Sequence, residues 1–140
     1  MPSASFSHRV AINASPEAVW ARLQEAEAWA AIGPIDEVWG ARHDSEGALQ
    51  AFQWSTRAAG RSFKGTASTS QSILDERMVV DLVTSEVVGA VDVELGDGAL
   101  EVTMSLRSVG LLATVFFGVV SDSVGAGLGG HVDQFAAQFG

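Results

Sequence analysis

The C-terminal stretch constrains this chain more than any other. Between Arg107 and Asp133 a single charge, Asp122, interrupts an apolar run that contains LLATVFFGVVSDSVGAGLGG at residues 111–130. Such a segment must be covered by lipid, built into a nucleotide site, or packed against the rest of the fold. The charge-free piece before Asp122 is shorter than the ~20 residues a bilayer requires. No basic cluster or aromatic belt flanks it, so no integral membrane segment is expected. Gly125-Ala126-Gly127-Leu128-Gly129-Gly130 matches G-x-G-x-x-G. That fingerprint needs a strand before it, a helix and a second strand after it, and an acidic residue ~20 positions on. The residues after Gly130 offer no such second strand or acidic residue, so a dinucleotide site is not expected.

A helix packed on other elements remains. At helical spacing Phe117, Ser121, Val124, Leu128, Val132, Phe135 and Phe139 form one stripe, with Asp122, Gly129 and Asp133 roughly opposite. Four glycines lie between 125 and 130, each costing about 0.8–1 kcal/mol relative to alanine in a helix. They imply close approach to a neighbour, a kink that opens a cavity, or a break. A continuous or kinked helix is the expectation.

The preceding residues say what it covers. SASFSHRVAIN (3–13) alternates, with Phe6, His8, Val10 and Ile12 on one face. A helix start follows: Ser15 caps, Pro16 takes the first position and Glu17 favours the positive end. Val19, Trp20 and Leu23 share a face, and a second short helix, about 25–31 with Trp29, ends before Gly33-Pro34. From residue 35 the period is two. IDEVWGARH, the turn DSEG, and ALQAFQWSTRA follow, with Gln50, Phe52, Trp54 and Thr56 on one face. After Ala59-Gly60, RSFKGTASTSQSIL carries a polar face from Ser62 to Ser72. MVVDLVTSEVV, GAVDVELG and, beyond Gly96-Asp97-Gly98, GALEVTMSLR complete an antiparallel meander. In the last strand Leu100, Val102, Met104 and Leu106 share one face.

Composition removes several functions. At 140 residues the chain is expected to be one domain, 1–140, able to bury its own core. A net charge of −9 repels phosphate backbones, and the basic residues are scattered, so no nucleic acid is expected. Without cysteine there is no disulfide, thiolate nucleophile or zinc–thiolate site. MPSASFSHRV holds no signal-peptide core, which makes the cytoplasm the expected compartment.

The order of strand, two short helices, meander and long helix resembles the START-like (SRPBCC) superfamily. That superfamily includes polyketide cyclase/dehydrase-like proteins, coenzyme Q-binding proteins, pollen-allergen-type carriers and chaperone-activator domains. The residues that carry the resemblance are Ser15-Pro16-Glu17-Ala18-Val19-Trp20 and the hairpin Leu95-Gly96-Asp97-Gly98-Ala99-Leu100-Glu101-Val102-Thr103. It implies an α+β helix-grip fold: a curved antiparallel sheet of about seven strands wraps a long C-terminal helix, two short helices follow the first strand, and an apolar cavity lies between sheet and helix. The chain departs from its relatives in having no tyrosine and in its dense glycine cluster, so no catalytic residue is carried over. One fold carries many functions.

Three histidines are candidates for acid–base work. His8 shares a face with apolar residues and reads as a wall or core residue, His43 as an exposed turn residue, and His131 as a flank of the helix stripe. Glu86 has the parity of Met78, Val80, Leu82 and Thr84 unless the strand ends before it. No metal site or cofactor is expected, since the histidines are separated and lack carboxylates at ligand spacing. Phe52, Trp54, Met104, Phe117, Ser121, Val124, Leu128 and His131 are the expected ligand-binding residues. The leading expectation is a carrier of a small apolar ligand of lipid, polyketide or isoprenoid type. A cyclase- or dehydratase-like enzyme and a ligand-free interaction module are the alternatives, and a homodimer is left open.

Overall fold

The computed structural model describes residues 3–33, 35–58, 60–96, 98–109 and 111–139, with side chains at all of these except 58, 61, 111–116, 119, 120 and 123. Pro34, Ala59 and Asp97, which belong to the expected turns, lie outside the described residues. In chain order the elements are β1 (Ser3–Ala11), α1 (Pro16–Leu23), α2 (Ala26–Ile32), β2 (Glu37–His43), β3 (Leu49–Ala58), β4 (Arg61–Ile73), β5 (Arg77–Val83), β6 (Val87–Gly96), β7 (Ala99–Ser108) and α3 (Leu111–Ala137). One seven-stranded sheet runs β1-β7-β6-β5-β4-β3-β2, antiparallel at every step. Strands β2 to β7 are thus a meander, and β1 closes onto β7.

Local chemistry explains most boundaries. Ser15 has extended backbone, and its hydroxyl accepts from the Ala18 N–H, so α1 starts where its cap stands. Helix α2 has no side-chain cap and is held by burial of Ala26, Ala28, Trp29 and Ile32. The Trp29 indole N–H donates to the Leu23 carbonyl at 2.9 Å, tying α2 to the end of α1. In the β2–β3 turn, Asp44 Oδ1 accepts from the N–H groups of Glu46 and Ala48 at 2.8 and 2.9 Å. Gly47 supplies the positive φ that turn needs.

Two boundaries differ from the sequence expectation. MVVDLVTSEVV is not one strand: β5 ends at Val83 and β6 begins at Val87. The cause is Thr84, whose hydroxyl accepts from the Val87 N–H at 2.8 Å and closes a turn that competes with the ladder. Glu86 therefore sits in that turn and not on the apolar face of β5. The second difference is in β3, where Leu49 is buried and Gln50 is exposed, although Gln50 has the parity of Phe52. The pairing with β2 shifts register there, from Arg42 opposite Ala51 to His43 opposite Leu49. The Leu49 N–H donates instead to Gln24 Oε1 at 3.0 Å, and its carbonyl accepts from the Thr69 hydroxyl at 2.8 Å.

Helix α3 is continuous through Gly125–Gly130. Its main contacts are with β1, β7, α2 and β3. Phe117, Ser121, Val124, Leu128, Val132 and Phe135 are all buried, so the expected stripe is the face turned to the sheet and short helices. Leu128, Val132 and Phe135 are at most 2% exposed, and each large apolar side chain so buried contributes about 1.5–3 kcal/mol. Among the described residues no helix is long and apolar enough to cross a membrane.

Candidate functional site

Six of the eight expected ligand-binding residues belong to one buried cluster. Phe52 and Trp54 come from β3, Met104 from β7, and Phe117, Val124 and Leu128 from α3. They meet because side chains at every second strand position and every third or fourth helix position turn inward together. Trp54 is anchored: its indole N–H donates to the Thr66 carbonyl at 3.0 Å. Its ring covers Gly65, where a β-carbon would lie 2.9 Å from Trp54 Cζ2. Met104 reaches across to the end of α2, its methyl 3.2 Å from where a β-carbon on Gly33 would stand.

The other two residues bring polarity to this surface. Ser121 is buried, and its hydroxyl donates to the Gly118 carbonyl at 3.2 Å within the helix. That leaves its oxygen free to accept. His131 is part-buried, and its Nδ1 is fully buried with no hydrogen-bond partner. The ring folds back on Gly127, where a β-carbon would be 3.3 Å from Nδ1. A buried ring nitrogen without a partner costs about 1–3 kcal/mol, and such exceptions call for a cause. His131 lies three residues beyond Leu128, beside the buried stripe.

The opposite flank of α3 forms a seam with β1 that sequence reasoning did not place. Gly125 faces Phe6 so closely that a β-carbon there would stand 2.5 Å from the ring. Gly129 faces His8, where a β-carbon would stand 3.3 Å from Nδ1. His8 Nε2 then meets Asp133 Oδ1 at 2.9 Å. Gly129 is therefore at the edge of the buried stripe, while Asp133 is exposed and its carboxylate reaches back to His8. The signal was available as Gly125, Gly129 and Asp133 at four-residue spacing facing Phe6 and His8 at two-residue spacing. Of the three explanations for the glycines, close approach holds at 125 and 129.

His43 is exposed, as expected, but bound: its Nε2 donates to the Gln24 carbonyl at 2.7 Å, at the end of α1. Gln24 was missed. Its amide donates to the Trp20 carbonyl and to Met78 Sδ while its oxygen accepts from Leu49. One side chain so joins α1, β3 and β5. Among the described residues no three of His, Asp or Glu stand where they could share a metal ion.

The outer face of the sheet is different in kind. Two open grooves cross it, about 530 Å³ beside Ser5, Val88, Ala90 and Ser105, and about 510 Å³ beside Gly40, Arg42, Gln53 and Thr66. Arg77 is paired there with Asp92 and Glu94. The hydrogen bond from Arg77 to Asp92 and the Asp92 charge hold its guanidinium above the usual arginine value. Both grooves open to solvent; the first also borders Leu106 and the second Phe52 and Ala67, members of the buried cluster.

Residues 3–138 match the model of the family described as polyketide cyclase/dehydrase and lipid transport. No curated protein matches the chain. Among solved structures, a START superfamily protein from Mycobacterium smegmatis is 16% identical with a TM-score of 0.62, covering 94% of this chain and 97% of that one. A Thermus thermophilus protein is 11% identical with a TM-score of 0.67, covering 97% of each chain. An aromatase/cyclase from a Streptomyces species is 13% identical with a TM-score of 0.57, covering 98% of this chain and 86% of that one. At these identities the structural likenesses speak for the fold.

Proposed function

Because the chain belongs to the family described as polyketide cyclase/dehydrase and lipid transport, we propose that it binds a small hydrophobic ligand between the inner face of the sheet and α3. Phe52, Trp54, Met104, Phe117, Val124 and Leu128 supply the apolar wall; Ser121 and His131 orient the ligand. One observation carries this reading: inward apolar side chains converge from β3, β7 and α3 beside a buried ring nitrogen that no protein group satisfies. A ligand burying ~300 Å² of apolar surface gains roughly 7 kcal/mol before the cost of association.

The test is titration of purified protein with N-phenyl-naphthylamine, a neutral fluorophore that brightens in apolar surroundings, alongside native mass spectrometry. Saturable one-to-one binding, or an apolar molecule that co-purifies, supports the carrier reading. An inert probe together with the bare polypeptide mass overturns it.

The unpaired Nδ1 of His131 also favours a second reading, in which the same site is catalytic and His131 moves a proton on a bound polyketide-like chain. Turnover of a bound substrate, abolished in a folded His131→Ala variant, would distinguish an enzyme from a carrier.

A further inference from the structure

We infer that the ligand is electrically neutral and carries a ketone or hydroxyl oxygen that His131 reads, so that the protein discriminates against fatty-acid carboxylates. This rests on the reading above that a hydrophobic ligand binds against α3, and it narrows the chemistry of that ligand. The chain has eight basic residues, and the side chains of seven are described. Arg9, Arg42, Arg57, Lys64 and Arg107 are exposed. Arg22 and Arg77 are part-buried, and each is engaged outside the apolar cluster, with Glu25 and with Asp92 and Glu94 respectively. The eighth, Arg61, opens β4 at an end of the sheet. The residues of α3, from Leu111 to Ala137, include no lysine or arginine at all.

Among the described side chains none offers a fixed counterion to a carboxylate carried into this interior, where desolvation without one is strongly unfavourable. The net charge of −9 adds long-range repulsion of anions. His8, the other inward histidine, already faces Asp133. What α3 does offer beside its buried stripe is His131 Nδ1, buried and without a partner, and the free lone pairs of Ser121. An imidazole nitrogen can donate to a ketone or exchange a hydrogen bond with a hydroxyl. One such bond at a site that otherwise leaves a nitrogen unsatisfied gives selectivity for ligands that bear the oxygen.

Displacement of N-phenyl-naphthylamine by decanoate, decanol, the matching methyl ketone and decane tests this, at a pH well above the ordinary histidine value. In the wild type, decanol and the ketone are expected to displace the probe at least about tenfold more effectively than decanoate, and to match or exceed decane. In His131→Leu the ketone and decanol should weaken about fivefold, and decane should not change. Decanoate binding as well as decanol would overturn the inference, as would decanoate binding that vanishes in Arg61→Gln. So would a ketone-over-decane margin that survives in His131→Leu. If that variant fails to fold, the wild-type order of the four ligands decides. Probe and decane binding without the expected order refutes the neutral-ligand claim alone; a protein that binds neither refutes the carrier reading with it.

Discussion

The imidazole of His8 on β1 meets the carboxylate of Asp133 on α3, Nε2 to Oδ1, at 2.9 Å, and the same ring lies over Gly129 one turn earlier. The contact marks where the C-terminal helix is seated against an edge of the sheet. The pair is too open to be the main fastening: the side chains are 34% and 58% exposed. Exposed ion pairs contribute at most about 1 kcal/mol. Asp133→Asn is therefore expected to lower stability by no more than that. Phe135→Ala, at a fully buried position of the same helix, should lower it by about 3–5 kcal/mol. Urea unfolding of both variants checks the ranking.

The glycines of α3 should separate into two kinds. Gly130 has nothing near the position of an added methyl group, so Gly130→Ala should stabilise by about 0.8–1 kcal/mol through helix propensity. Gly125→Ala gains the same term but pushes a methyl group into the Phe6 ring, and overpacking of this kind costs about 1–3 kcal/mol. Its net effect is neutral to destabilising. Thermal unfolding of the two single variants measures the difference.

Gln24 should matter more than its part-buried position suggests. Removing its side chain strips the partner from the Leu49 N–H, at a residue only 1% exposed. An orphaned buried N–H costs about 1–3 kcal/mol. Gln24→Ala should lose that much in a denaturant titration and should open the Leu49 amide to hydrogen exchange, while amides in the β6–β7 ladder stay protected.

Much of this was legible beforehand because period-two and helical patterns are strong signals wherever one face is buried. The faces of β1 and β7, the cap at Ser15 and the stripe from Phe117 to Phe135 follow from spacing alone. Where a side chain competes with the backbone, spacing misleads. Thr84 ends β5 early, and Gln24 draws the Leu49 N–H out of the ladder, so that Leu49 and not Gln50 turns inward. The contact of Gly129 with His8 was misplaced for another reason: a helix beside an edge strand has three environments, and a two-sided wheel has only two. His131 was legible as a flank of the stripe, but the unsatisfied state of its Nδ1 exists only in three dimensions.

A side chain enlarged on the inner stripe of α3 should compete with ligand. If the space between α3 and the sheet admits a guest, Val124→Phe is accommodated at less than about 1 kcal/mol and abolishes probe binding. In an interior already filled, the same change costs about 1–3 kcal/mol. Fluorescence titration and urea unfolding of one variant read both quantities.

The claim that an apolar guest sits under α3 is tested most directly by intermolecular nuclear Overhauser effects between bound decanol and methyl-labelled protein. The account predicts cross-peaks to Val124, Leu128 and Met104. Cross-peaks instead to Val88 and Ala90, on the outer groove beside β1, would contradict it.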